Sequence, residues 1–158
     1  MLVEHTFVTT KEAPEALSAA RDLLVMGGFW VTAETENFLE VKRGREKVSQ
    51  AKGLLQLPQQ VRVEFDRGRV SVAVLIQHDV KASSKCRELL LAIAEGLEKL
   101  LARGLPVEEV RRPLHELEAE IAADFSRRRK RTLIFAIVVL VIVFSCLGGL
   151  VAIIMSPP

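Results

Sequence analysis

The spacing of apolar residues changes along the chain, and each change predicts an element. Val3 to Val8 is short and rich in β-branched and aromatic side chains, which predicts a first strand. Thr9 and Glu12 then stand at capping-box spacing. A helix is predicted to follow, with Ala13, Leu17, Ala20 and Leu24 on one face, Pro14 tolerated in its first turn and Gly27-Gly28 as its stop. From Phe29 the period falls to two. Phe29, Val31 and Ala33 lie on one side and Trp30, Thr32 and Glu34 on the other, the pattern of a strand with one better-buried face.

Thr35-Glu36-Asn37 turns the chain into a second strand of this pair, Phe38 to Arg43. Residues 44 to 60 have no clear period and read as a loop with one helical turn. Val61 to Phe65 alternates, Asp66-Arg67-Gly68 supplies a turn, and Arg69 to His78 alternates again with Val70, Val72, Val74 and Ile76 facing one way. This is the best hairpin signal in the sequence. Lys81 to Arg103 then carries Cys86, Leu89, Leu90, Ile93, Leu97, Leu100 and Leu101 as a broad apolar stripe, a long helix that Gly104 ends.

The predicted order is strand, helix, four strands, helix. Two helices with apolar stripes pack most economically on one face of an antiparallel sheet, leaving the other face less covered, so the fold class is α+β. Over residues 3 to 103 this order resembles the β-α-β4-α arrangement of TATA-box-binding-protein-like domains, and a shortened helix-grip domain is similar. The resemblance lies in fold pattern alone and implies no activity.

Beyond residue 104 the pattern changes character. Gly104-Leu105-Pro106 and Arg111-Arg112-Pro113 bracket a predicted connector, after which Leu114, Leu117, Ile121 and Phe125 recur at helical spacing among acidic residues. This amphipathic stalk has two partners open to it, the domain or a second stalk. Leu133 to Met155 is then free of charge over twenty-three residues. At about 1.5 Å per helical residue it reaches roughly 34 Å, enough to cross a hydrocarbon core of about 30 Å. The expected organisation is a domain over 1–104, a linker and basic stalk over 105–131, a transmembrane helix over 132–155 and a short translocated tail, 156–158.

Composition makes sense once that last quarter is set apart. About half of the residues, 49%, are apolar. Residues 1 to 126 carry 17 Lys and Arg against 20 Asp and Glu, a net of −3, and Arg127, Arg128, Arg129, Lys130 and Arg131 add +5 to give +2 overall. The basic balance therefore belongs to the juxtamembrane run. It gives no support to nucleic-acid binding, and it orients the span with the N-terminal domain in the cytoplasm. Cys86 and Cys146 fall in a helix and in the span, so no structural disulfide is expected.

Catalytic signatures are missing from the pattern. His78-Asp79 ends a strand, but strand closure and helix capping account for both residues. His5, His78 and His115 lack metal-ligand spacing, and no cofactor motif is present. Two binding surfaces are more informative. One is the excess of +4 made by Lys42, Arg43, Arg45, Lys47 and Lys52 against Glu46, which reads as a solvated loop or as a contact with anionic lipid. The other is the sheet face bearing Trp30, Ala73 and Leu75, open to a protein or lipid partner unless the stalk or the loop 44–60 covers it. Within the span, Ser145 and Gly149, and Gly148 and Ala152, stand four apart, a spacing that lets two helices approach closely as a homodimer. The sequence thus points to a tail-anchored, non-enzymatic binding or adaptor module, with a membrane-tethered lipid or small-ligand domain as the alternative.

Overall fold

A computed structural model describes residues 1–45, 54–76, 84–124 and 127. The elements are β1 (Leu2–Val8), α1 (Ala13–Met26), β2 (Trp30–Thr35), β3 (Phe38–Arg43), a 3-10 turn (Leu54–Gln56), β4 (Gln59–Asp66), β5 (Arg69–Ile76), α2 (Ser84–Leu101) and a further helix, α3, over 107–124. The five strands form one antiparallel sheet in the order β1-β5-β4-β3-β2. The class is α+β, with a five-stranded antiparallel sheet and three helices.

Core formation follows the alternation. Val61 and Val63 on β4, Val70, Val72, Val74 and Ile76 on β5 and Leu39 and Val41 on β3 are buried on one face. Across from them α1 contributes Leu17, Ala20, Leu23 and Leu24, and α2 contributes Leu89, Leu90, Ile93 and Leu97. The β4–β5 hairpin turns on Arg67-Gly68, both at positive φ (49° and 82°), the two-residue turn whose twist matches that of the strands it joins. At the end of α1, the Phe29 N–H bonds the Leu24 carbonyl and the Gly28 N–H the Val25 carbonyl, a Schellman closure at the expected glycines.

Three expectations need correction. Thr9 does not cap α1. That helix starts at Ala13 with Glu12 at the cap position and no side-chain cap bond. Instead the buried Thr9 hydroxyl donates to the Leu101 carbonyl at 2.6 Å and accepts from the Lys11 N–H, tying β1 to the end of α2. β2, at one edge of the sheet, has no better-buried face: all six of its residues are exposed. A register shift between Val31 and Ala33 also breaks its alternation, setting Ala33 opposite Glu40 and Glu34 opposite Leu39.

The third correction concerns residues 107–113, which are helical rather than a connector. Pro106 accepts the first helical bonds from Glu109 and Val110, and Pro113 is carried inside α3. The missing bond at Pro113 is offset by an apolar stripe: Val110 and Ile121 are buried, and Leu114 and Leu117 pack against the core. α3 lies on α2 at Gly96, where an added Cβ would stand 3.1 Å from Val110 and 3.3 Å from Leu114. Of the two partners open to the amphipathic helix, it takes the domain.

Neither α3 nor the described part of the loop, residues 44, 45 and 54–60, covers the open sheet face. α3 packs behind α2, and Leu57 turns inward to be buried in the core. One compact unit spans Met1–Ala122. Among the described residues no helix is long and apolar enough to cross a membrane. The expected span 132–155, Arg128 to Arg131, Ser145, Gly148, Gly149, Ala152, Lys47 and His78-Asp79 lie outside the described residues.

Candidate functional site

Register defines the open face row by row. Leu2 pairs with Leu75, Leu75 with Gln60, Gln60 with Lys42 and Lys42 with Trp30, so these residues form one row across all five strands. The next row is Glu4, Ala73, Arg62 and Glu40, and the one after it Thr6, Ser71, Glu64 and Phe38. No residue in these rows is buried, and Trp30 and Leu2 are about half exposed (49% and 53%). The sequence-predicted Trp30, Lys42, Ala73 and Leu75 are thus brought onto one surface.

Glu40 organises the middle of that surface. It accepts from the Thr32 hydroxyl at 3.0 Å and from Arg62 at 2.9 Å, and pairs with Lys42 at 3.2 Å. Burial is the largest single influence on its carboxyl and works to raise its pKa, but the Thr32, Lys42 and Arg62 contacts together bring it below the ordinary value. Sequence alternation had no means of finding this hub, since its three partners come from three different strands.

Arg43 is not part of a solvated basic cluster. It faces the core side of β3 and is only 8% exposed. Its Nε donates to Gln59 Oε1 at 2.9 Å and its Nη1 to the Gly27 carbonyl at 2.9 Å, while Nη1 lies 2.5 Å from Glu118 Oε1 on α3. The guanidinium also sits over the Phe29 ring, 4.4 Å from its centre, and Nη2 is buried without a hydrogen-bond partner. A buried cation requires this much company. Arg43 therefore joins the end of α1, the sheet and α3 rather than meeting a ligand from solution. Neither Gln59 nor Glu118 stood out in the sequence, because each looks like an ordinary surface residue until the fold brings it to Arg43.

Arg45 remains exposed, with its N–H bonded to the Gln56 carbonyl. Together Trp30, Lys42, Arg43, Gly44, Arg45 and Gln60 help to line a recess of about 310 Å³ at this end of the sheet. A larger groove of about 910 Å³ follows the contact between α2 and α3, with Leu91, Ala92, Leu114 and Leu117 in its wall beside Arg87, Glu88 and Lys99. On the helix side His5 Nε2 donates to Glu98 at 2.7 Å, linking β1 to α2. That bond is the main reason the Glu98 carboxyl is held below its usual range, with burial opposing it and Arg103 assisting. Cys86 is buried on α2, and desolvation pushes its thiol up, the condition of an inert core cysteine. The chain matches no protein-family model, and no curated protein resembles it closely enough to count as a match.

Proposed function

We propose that this chain is a tail-anchored, non-enzymatic binding module. Its α+β domain is held at the cytoplasmic face of a membrane by the segment 132–155, and it offers the helix-free face of its sheet to a protein partner in the same membrane. The observation that carries this reading is the cross-strand row Leu2–Leu75–Gln60–Lys42–Trp30: apolar at both ends, polar between, and uncovered by any described element. Half-exposed Trp30 at one edge and Leu2 at the other give a partner two apolar anchors with polar contacts between them. Tethering raises the effective concentration of membrane partners, so a modest surface suffices.

The β-α-β4-α order with α1 and α2 on one face supports the TATA-box-binding-protein-like pattern as the finer description of the fold. The helix-grip reading, with a lipid or small ligand between sheet and long helix, is less favoured. Val72, Val74, Leu89, Leu90 and Leu97 fill that layer and are at most 1% exposed. Self-association through Ser145, Gly148, Gly149 and Ala152 is compatible with the adaptor role and would double the surface presented.

A photo-crosslinking residue placed at position 73 in the full chain, activated in native membranes, tests the reading. A discrete protein adduct that disappears on Leu75→Glu is the expected result. The same adducts from position 88 on the exposed side of α2, or adducts to lipid alone, would overturn it.

A further inference from the structure

The recess beside Trp30 stands at the end of the domain from which the chain leads to the basic run. α3 fixes this: Glu118 meets Arg43 at the end of β3, and Glu120 pairs with Lys85 in the first turn of α2. Only residues 123–126 separate the compact unit from Arg127. The ten residues from 123 to 132 span about 15 Å as helix and about 35 Å at full extension. Under the tether proposed above, either length keeps the domain within reach of the headgroups.

The chemistry there suits an anionic surface. Lys42, Arg43 and Arg45 line the recess, and among the described residues no acidic one does. Arg43 is committed to Glu118, but the Arg45 side chain makes no ion pair among the described residues, and Lys42 shares Glu40 with Arg62 and Thr32. Around these cations Trp30, Val31, Val25 and Met26 expose apolar surface. Cations, a half-exposed indole and short apolar side chains at one end of a tethered domain form the combination that partitions into a bilayer interface.

We infer that the Trp30–Lys42–Arg45 recess seats the phosphate groups of anionic phospholipids, docking this corner of the domain on the membrane proposed to anchor it. This rests on the tether proposed above and divides the cross-strand row: Trp30 and Lys42 meet lipid, and Leu2 and Leu75 toward the other edge are left to the protein partner.

Trp30 is the only tryptophan and the chain has no tyrosine, so intrinsic emission reports this site alone. The full-length protein is reconstituted into nanodiscs of phosphatidylcholine, with and without phosphatidylserine, and co-flotation with lipid is checked in each sample. With phosphatidylserine the emission should shift to the blue, be quenched by brominated lipid and return at high salt. Lys42→Gln with Arg45→Gln should lower the docking equilibrium constant about 25-fold, about fivefold for each cation. Equal emission in both lipids, or an unchanged shift in the double variant, overturns the inference. So does the same shift on adding inorganic phosphate to neutral discs, which would assign the recess to a soluble anion. Failure of the chain to co-float overturns the tether itself, whereas co-flotation with a wet Trp30 refutes only the docking.

Discussion

Removing the Glu118 carboxylate should loosen α3 more than removing the whole ion pair. In Glu118→Ala the Arg43 guanidinium keeps its bonds to Gln59 and Gly27 and its place over Phe29, but loses its carboxylate while only 8% exposed. Breaking a fully buried pair from one side costs about 3–5 kcal/mol. Glu118 is itself 23% exposed, so water partly replaces it and about 2–3 kcal/mol is the better expectation. The double variant Arg43→Met, Glu118→Gln removes both charges and fills the space over Phe29. It forfeits two hydrogen bonds at about 1 kcal/mol each and recovers apolar contact, for a net cost of about 1 kcal/mol. Amide exchange on the full chain in nanodiscs reads the difference locally. Residues 114–121 should exchange about 30- to 150-fold faster in Glu118→Ala, and only several-fold faster in the double variant. If the single variant exchanges like the wild type, or if the double variant is the looser of the two, Arg43 is not what holds α3.

Gly44→Ala should be severe, costing about 3 kcal/mol or more in urea unfolding followed by Trp30 emission. Its backbone has φ of 96°, and a Cβ there would meet the Leu57 carbonyl oxygen at 2.1 Å, a backbone atom that has little freedom to retreat. Gly96→Ala should change stability by less than about 1 kcal/mol, since better helix propensity offsets a tight fit against Val110, whereas Gly96→Leu should lift α3 from α2 and expose 107–122 to proteolysis. Glu98 is more acidic in the folded protein than its ordinary value of 4.5, so it stabilises the fold above that pH and the contribution disappears as pH falls through the lower, folded value. The urea midpoint should therefore drop on acidification below about pH 4.5, and drop less in Glu98→Gln; equal slopes would remove Glu98 from the account.

The elements that were legible in the sequence were those in which one physical term dominates. Alternation in β4 and β5 is set by a single buried face, and the α2 stripe by the same face seen from the other side, so all three were placed correctly, although β4 runs from Gln59 to Asp66, beyond the predicted 61–65. β2 misled because alternation reports side-chain type, whereas burial depends on what packs over the strand: β1 is also an edge yet sets Val3 and Phe7 against the core, while all six residues of β2 are exposed. Residues 107–113 misled for a related reason. Two prolines made the segment read as a connector, and the contact with Gly96 of α2, a residue without a side chain to clash, supplies packing that outweighs the one inside the helix.

Arg43 shows the same limit at the candidate site, and it changes which cations can act. In the sequence it is one of five basic residues between positions 42 and 52, interchangeable with Lys42 and Arg45. Strand parity separates them: Lys42 and Arg43 are neighbours in the chain and must point to opposite faces of the sheet. The cation on the inner face has to be neutralised and hydrogen-bonded, which Glu118, Gln59 and Gly27 accomplish, and that same neutralisation fixes the end of α3 beside Trp30. A cluster that reads as one basic patch is thus divided by the pleat of a single strand. One arginine holds α3 to the sheet, and Lys42, with Arg45 beyond the strand end, is left at the surface.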